Sequence, residues 1–466
     1  MTAELWRRSA VELAGMIRDK SVSSVDVVES HLRRIDDVNP SLNAVTVTLA
    51  ESALEMAKKA DNAATSGPLH GVPFTVKENI DCLGSATTQG VPMMVDAMPS
   101  RDAVIVQRMK NAGAIPLART NLPEFGLRIS TNNPLRGRTN NPWHSERVAG
   151  GSSGGEASAI ASGMSPMGLG NDIGGSLRNP AYCCGIASLK PTTGRIPSDS
   201  SISPEGDGLA SQLMAVQGPM ARHVDDLKLA YEILSGRHYL DPISVDAPLY
   251  GKPIETKSVA VVTSVPGATM PAATVAGVNC AADILSASGW DVEEAEPPEL
   301  ALVTELWGQL LSKDVAVMLV QLDGQMSDDV ANMLTDFVDI YQPNSAANKA
   351  TMDILHSERA RLRSLWSAFF LKYPTIIGPV WTHLPFPHDE DIQADTGARL
   401  TIDCLRFITP GNLLGIPAAV VPTGIADGLP TSVQIYADVW REDVCLDVAK
   451  IVEQQAGQIC PIDPVR

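Results

Sequence analysis

The segment from residue 149 to residue 178 reads AGGSSGGEASAIASGMSPMGLGNDIGGSLR. Nine of the 36 glycines of the chain fall between Gly150 and Gly175, and they flank the two serines Ser152 and Ser176. Glycine tolerates positive φ and leaves backbone N–H groups uncovered, and successive uncovered N–H groups form anion-binding concavities. The small residues at 159–162 predict a helix packed closely against its neighbours. This segment therefore predicts an anion hole built from backbone.

Nucleotide-binding motifs do not account for these glycines. A phosphate-binding loop requires the pattern GxxxxGK[ST], and no lysine follows the glycines here. The dinucleotide pattern GxGxxG starts at Gly168 and Gly170 but has Ile173 where the third glycine should stand. Nucleotide binding is therefore disfavoured, which leaves chemistry based on a serine.

Two arrangements could activate a serine in this segment. Residues 151–155 match the nucleophile elbow GxSxG formally, but no clear strand precedes them and no later histidine stands in a distinctive context. The second arrangement pairs the serine with a lysine. Its Ser-x-x-Lys form is excluded, because no lysine of the chain has a serine three residues before it. A lysine from elsewhere in the fold remains possible, and Lys77 is the obvious candidate because it ends a predicted buried strand at 72–77. Catalytic groups of open α/β sheets gather at such strand ends.

The sequence before this segment predicts an α/β fold. Short apolar runs at Pro73–Lys77 and Ala114–Ala118 predict buried strands, with a helix from about Asp102 to Asn111 between them. This alternation of strand, helix and strand favours a mostly parallel sheet covered by helices.

The C-terminal part returns to the same pattern. Pro417–Val421 and Ser432–Tyr436 predict strands of the same sheet, and a closing helix is predicted from about Arg441 to Gln455. No repeat or linker interrupts residues 1–466, so we predict a single domain.

Composition narrows the class of protein. The formal net charge is −18 and the sequence pI is about 4.8, so the average surface repels nucleic-acid phosphates and anionic lipid headgroups. No nucleic-acid partner and no membrane association are therefore expected. No apolar stretch is long enough for a membrane span and the first eight residues lack the apolar run of a signal peptide, which predicts a cytoplasmic protein.

Cysteine and histidine usage gives no sign of a metal or a disulfide framework. Seven cysteines are scattered without a CxxC pair, as is typical of reduced thiols in a cytosolic protein. The eight histidines include no HExxH pair. We expect neither a metal nor a cofactor.

Three motifs carry a resemblance to a known family. The stretches at 71–79, 150–155 and 170–178 resemble the core motifs of the amidase signature family, with 75 residues from Lys77 to Ser152 and 24 from Ser152 to Ser176. Shorter likenesses lie at 117–125, 189–192, 412–418 and 428–430. The resemblance is strongest over about 70–225, and about 225–400 is a variable region expected to set substrate specificity. It implies a large twisted mixed β-sheet with helices on both faces. Homodimers are common among relatives, so a homodimer is expected.

The resemblance also implies roles for individual residues. Ser176 would be the nucleophile, Lys77 the base, and Ser152, preceded by a cis peptide bond, the bridge between them. Lysine can be a base only when neutral, so its usual pKa of about 10.4 must fall through burial. The oxyanion would be received by the backbone N–H groups of Ile173, Gly174, Gly175 and Ser176. Ser153, Asp172 and Arg178 would support the loop, while Asn171 departs from the threonine of many relatives.

The resemblance predicts an amidase that hydrolyses a carboxylic acid amide through an acyl-enzyme. Residues Gly126, Leu127 and Arg128 correspond to a segment that lines the acyl pocket in relatives; Arg128 could bind a polar group of the substrate or simply be exposed. Nine aromatic residues lie between 300 and 390 and favour a hydrophobic or aryl acyl group, although most should pack helices onto the sheet. The alternative is the glutaminase subunit of a tRNA-dependent amidotransferase, whose characteristic glycine- and tyrosine-rich stretch is not found between 300 and 350.

Overall fold

The structure, a computed structural model, describes residues 4–64, 67–202, 208–342 and 351–465. Residues 343–350 of the predicted variable region lie outside the described residues. The described strands are β1 Val45–Thr48, β2 Pro73–Lys77, β3 Ile115–Thr120, β4 Met167–Asp172, β5 Ala187–Lys190, β6 Val216–Ala221, β7 Ser258–Val261, β8 Asp291–Glu294, β9 Thr375–Gly378, β10 Ala418–Ala426 and β11 Leu429–Ala437. The described α-helices are α1 Ala10–Arg18, α2 Ser24–Leu42, α3 Ala50–Asn62, α4 Val104–Asn111, α5 Gly154–Ala161, α6 Arg178–Cys184, α7 Leu209–Met214, α8 Val224–Leu234, α9 Ala272–Ala287, α10 Leu300–Gln321, α11 Asp328–Tyr341, α12 Met352–Lys372, α13 Gly397–Cys404, α14 Thr409–Leu413 and α15 Glu442–Ala456.

All described strands form one mixed sheet in the order β1-β3-β2-β4-β6-β5-β10-β11-β9-β7-β8. Strand β2 is parallel to β3 and β4, and β7 is parallel to β8 and β9. The other six neighbouring pairs are antiparallel. The expectation of a mostly parallel sheet is therefore wrong, because β5 and β6 run antiparallel to each other and the β10–β11 hairpin inserts antiparallel between β5 and β9. The large mixed sheet implied by the family resemblance is confirmed, as is the membership of the C-terminal strands in it.

Helices cover both faces of the sheet. Along β10, Ala418 and Val420 face one apolar core while Ala419 and Val421 face another, since successive side chains of a strand point to opposite sides. The first core contains α5, α6 and α10 to α14, and the second contains α1, α4, α8, α9 and α15. This two-sided burial confirms the predicted layer arrangement.

Strand β2 brings its lysine to one edge of the sheet. Phe74 and Val76 pack into the second core, so Thr75 and Lys77 point to the opposite face, where the Thr75 hydroxyl donates to Glu156 of α5. Strand β4 runs parallel to β2, and its last residue, Asp172, therefore lies at the same edge as Lys77. The loops that follow these strands meet there.

Candidate active site

Lys77 and Ser152 are in contact at this edge of the sheet. Lys77 Nζ lies 2.6 Å from Ser152 Oγ and donates to Asn171 Oδ1 at 2.7 Å. Asn171 Nδ2 donates in turn to Asn79 Oδ1 at 3.0 Å. The peptide bond between Gly151 and Ser152 is cis. The structure thus brings together two of the three residues predicted to react, and it adds Asn171 as a partner of Lys77 that sequence reasoning missed.

Lys77 is fully buried, and its burial changes its protonation. Burial lowers the pKa of Lys77 to about 7, although the carboxylates of Asp172 and Glu156 act in the opposite direction. A substantial fraction of this amine is therefore neutral at neutral pH. A neutral amine in contact with a hydroxyl can accept its proton.

The carboxylate of Asp172 organises the loop that carries Ser176. Asp172 Oδ1 accepts the N–H of Gly175 at 2.8 Å, and Oδ2 accepts the N–H of Leu177 at 3.2 Å. Arg178 donates Nε and Nη2 to the two carboxylate oxygens, both at 3.0 Å. Burial acts to raise the pKa of Asp172, but the adjacent Arg178 guanidinium overcomes it and holds that pKa well below its usual range. The buried pair therefore stays ionised and fixes the loop from within.

Two C-terminal residues complete this buried network. Arg178 Nη2 donates to Asn412 Oδ1 at 2.6 Å, and Arg178 Nη1 donates to Gln434 Oε1 at 2.8 Å. Asn412 Nδ2 donates back to Asp172 Oδ1 at 2.8 Å. Sequence reasoning missed both residues. A signal existed for Asn412, which stands in the stretch 412–418 that resembles the family, and none marked Gln434.

The four predicted oxyanion donors differ in their hydrogen bonding. The backbone N–H groups of Ile173, Gly174 and Ser176 donate to no acceptor among the residues that the structure describes. The N–H of Gly175 differs from the prediction because Asp172 already accepts it at 2.8 Å. In this geometry the loop therefore offers three backbone N–H donors to an oxyanion.

The hydroxyls of Ser176 and Ser153 differ in their surroundings. Ser176 is 7% exposed and lines a cavity, and its hydroxyl forms no hydrogen bond to any described residue, Ser152 included. Ser153 is fully buried and its Oγ has no hydrogen-bond partner within the described part of the chain. Ser153 was predicted to support the nucleophile loop, but its hydroxyl takes no part in the hydrogen bonds that hold the loop. Only Asp172 and Arg178 of the predicted supporting set hold the loop.

The cavity beside Ser176 has a volume of about 480 Å³. The predicted pocket residues Gly126, Leu127 and Arg128 line it, as do Ile173 and Gly174. A Cβ placed on Gly126 would lie 3.3 Å from Ser152 Oγ, so this wall of the cavity touches the candidate bridge. Most of the remaining wall is apolar and comes from α10 and α11, through Trp307, Leu311, Val315, Met318, Met333, Leu334 and Phe337, and from Leu405 just after α13. Asp314 of α10 and Thr401 of α13 are polar residues of the same wall.

Arg128 is buried, and its charge is already paired. Its Nε and Nη2 donate to Asp391 at 3.0 and 2.8 Å, and Nη2 also reaches Asp389 at 3.1 Å. The interpretation of Arg128 as an exposed arginine is therefore wrong, because Asp391 is also buried and holds the guanidinium in place. Sequence reasoning missed Asp391, which lies 263 positions further along the chain.

The described ranges contain neither a metal-binding cluster nor a helix that could span a membrane. Within 4–64, 67–202, 208–342 and 351–465, no group of three or more His, Cys, Asp or Glu side chains could hold a metal ion. No described helix combines the length and the apolar character needed to cross a bilayer. All seven cysteines are free thiols.

Comparisons with known proteins agree with this fold. The family described as Amidase matches residues 26–446. An indoleacetamide hydrolase from Bradyrhizobium diazoefficiens is 40% identical over 97% of this chain and 87% of its own length. A glutamyl-tRNA(Gln) amidotransferase subunit from Geobacillus kaustophilus is 31% identical over 97% of each chain. Among solved structures, a 6-aminohexanoate cyclic dimer hydrolase superposes with a TM-score of 0.82, 28% identity and 97% coverage of both chains.

These findings define an enzyme of the amide-hydrolase class, acting on carbon–nitrogen bonds other than peptide bonds. The chain belongs to the amidase signature family. The indoleacetamide hydrolase is the more similar of the two relatives named above, so the glutaminase alternative is the weaker fit.

Proposed function

We propose that this amidase hydrolyses a small aryl or arylacetic amide to its acid and ammonia or amine, through an ester formed on Ser176. The contact that carries the proposal is the 2.6 Å approach of Lys77 Nζ to Ser152 Oγ, combined with the pKa of about 7 of that lysine. Neutral Lys77 would take the Ser152 proton while Ser152 takes the proton of Ser176. The Ser176 oxygen then attacks the amide carbonyl carbon.

The tetrahedral oxyanion formed in this step would lie against the N–H groups of Ile173, Gly174 and Ser176, which have no acceptor among the described residues. Its collapse breaks the carbon–nitrogen bond, and the proton held by Lys77 returns through Ser152 to the leaving nitrogen. A water molecule deprotonated by the same relay would then attack the ester and release the acid and Ser176. Fixed donors of this kind typically contribute about 3 kcal/mol each to stabilisation of the transition state.

The choice of acyl group rests on the cavity wall. Its apolar side chains suit a hydrophobic or aromatic group. Its charged side chains, Arg128 and Asp314, already have partners, Arg128 in Asp391 and Asp314 in the N–H and hydroxyl of Ser211. Glutamine would bring an ammonium and a carboxylate that need partners of their own. Because the indoleacetamide hydrolase is 40% identical over 97% of the chain, indole-3-acetamide is the first substrate to test.

A substrate panel tests this proposal on the purified chain without partners. We expect indole-3-acetamide and phenylacetamide to exceed acetamide and glutamine in kcat/KM by about 10–100-fold. Ser176→Ala should abolish hydrolysis and hydroxylamine trapping of the acyl group. Ser188→Ala is the matched control, because Ser188 is a fully buried serine of β5 whose hydroxyl has no partner in the described residues. Near wild-type hydrolysis by Ser176→Ala would overturn the assignment, and preference for glutamine would favour the glutaminase alternative.

The remaining sequence expectations stay predictions. They are one catalytic domain over 1–466, a cytoplasmic location and a homodimer, and light scattering of the purified protein would test the last. The contacts of the site residues described above do not depend on the number of domains, the cellular location or the oligomeric state.

A further inference from the structure

Trp307, in the variable region, contacts the nucleophile loop directly. Its Nε1 donates to the carbonyl oxygen of Ile173 at 3.1 Å, and its side chain is buried. The indole also lies against Gly174, where a Cβ would be 2.9 Å from Trp307 Cζ2. Trp307 belongs to α10, which has no part in the motifs that carry the family resemblance.

The hydrogen bond fixes the direction of a neighbouring N–H. The peptide between Ile173 and Gly174 is trans, so its C=O and its N–H point in opposite directions within one plane. Because the Ile173 carbonyl is directed to the indole, the Gly174 N–H is directed away from it. That N–H is one of the three that have no acceptor among the described residues.

This peptide needs an external restraint. It is followed by Gly174 and Gly175, whose lack of a side chain leaves the backbone free to rotate. A rotated peptide would present the Ile173 carbonyl oxygen, rather than the Gly174 N–H, to the developing negative charge. Asp172 holds the later part of the loop through Gly175 and Leu177 but makes no contact with this carbonyl.

We infer that Trp307 is a positioning residue for the hydrolysis, setting the orientation of the Gly174 N–H through its hydrogen bond to the Ile173 carbonyl. The inference rests on the proposed role of this loop as the oxyanion hole. Trp307 also lines the cavity and packs edge-to-face on Phe337, with ring centroids 6.0 Å apart and planes at 79°. The variable region therefore supplies the cavity wall that contacts the acyl group. It also supplies Trp307, whose hydrogen bond orients one oxyanion donor.

A conservative variant separates the hydrogen bond from the packing. Trp307→Phe keeps an aromatic ring against Gly174 but removes the indole N–H. Trp366→Phe is the matched control, because Trp366 is equally buried in α12 and its Nε1 donates to the Pro298 carbonyl at 2.9 Å, away from the loop. Three measurements are made on each variant with phenylacetamide as substrate: kcat and KM, the affinity of a phenylalkyl boronic acid, and the rate at which a fluorophosphonate labels Ser176.

For Trp307→Phe we expect kcat to fall at least about 10-fold with KM changed less than about threefold, since only the transition state uses the N–H. Boronic acid affinity and labelling rate should fall in parallel, and Trp366→Phe should match wild type in all three. Equal kcat and labelling rates in the two variants would overturn the inference. If the wild type hydrolyses no amide of the panel, the proposed substrate fails, yet the labelling rates still decide the role of Trp307. If the wild type neither hydrolyses an amide nor labels at Ser176, both proposals fall.

Discussion

The nucleophile loop and the helical wall of the cavity touch at Trp307 but are held by different forces. The loop at 172–178 is fixed by a buried carboxylate, a buried guanidinium and the hydrogen bonds they share. The wall formed by α10 and α11 presents mainly apolar side chains, which are held by packing. Directional polar contacts tolerate few replacements, whereas van der Waals contacts accept many side chains of similar volume. We therefore expect substitutions in the loop to reduce hydrolysis strongly and substitutions in the wall to change which amide is preferred.

The largest effect is expected at the base. Lys77→Met keeps the length of the side chain but removes the amine that contacts Ser152, so kcat/KM should fall by about 10³–10⁴-fold. Lys190→Met is a matched control. Lys190 is also fully buried with its pKa lowered by burial to about 7, but the one acceptor of its Nζ among the described residues is the Pro191 carbonyl, at 2.8 Å. Steady-state kinetics should show a loss of less than about 10-fold for Lys190→Met, and equal losses would contradict the role of Lys77.

The second prediction concerns stability. Arg178→Met leaves Asp172 as an unpaired carboxylate in the interior, which should lower the free energy of unfolding by about 3–5 kcal/mol in urea denaturation. Arg361→Met removes an arginine that also makes two contacts to one carboxylate, with Glu299 at 2.7 and 2.6 Å, but at the surface. Its denaturation midpoint should stay near wild type, because exposed pairs are screened by water. A midpoint for Arg178→Met as high as that of Arg361→Met would mean that the loop is not held by its buried charges.

The third prediction is a pH dependence with a fixed sign. Because the pKa of Lys77 is lowered to about 7 and only its neutral form accepts a proton, kcat/KM should rise about tenfold per pH unit below 7 and level off above it. Burial raises the pKa of Glu156 to about 7, so its carboxyl is only partly ionised over the range in which Lys77 titrates. Glu156→Gln removes this partial negative charge, which acts to raise the pKa of Lys77, so the midpoint of the rise should move to lower pH by less than a fully ionised neighbour would cause. A flat profile between pH 5 and 8, or a midpoint moved to higher pH in Glu156→Gln, would show that Lys77 is not the titrating base.

An element of the fold could be predicted from the sequence where the residues that determine it are close along the chain. Strand β2 has the predicted bounds, Pro73–Lys77, because a short apolar run follows a glycine and ends at a lysine. Strands β10 and β11 are longer than predicted. Asp427 and Gly428, both at positive φ, join them in a two-residue turn, and an Asp-Gly pair is a hairpin signal that the sequence does carry. The parallel or antiparallel sense of strands that pair across the chain has no such local signal.

The site residues also divide into those that a sequence motif marks and those whose partners lie far away along the chain. Ser152, Ser176 and Lys77 stand in stretches that resemble the core motifs of the family, so the resemblance could name them in advance. The pairing of Arg128 with Asp391 spans 263 positions, and that of Arg178 with Gln434 spans 256. Such pairs are decided by the packing of the whole sheet, which a single sequence does not encode in any local pattern.

The smallest effect is expected on the cavity wall. Phe337→Leu removes an aromatic face but keeps an apolar side chain, so kcat/KM for phenylacetamide should fall about 5–10-fold while that for propionamide stays within about twofold. Phe370→Leu is the control, since Phe370 has the same 5% exposure as Phe337 but does not line the cavity. Both variants should lose similar stability, because each shrinks a buried phenylalanine. A change in the ratio of the two substrates that is equal in both variants would mean that the wall does not select the acyl group. A change confined to Phe337→Leu would show that substrate choice can be altered there without disturbing the buried charges that hold the loop.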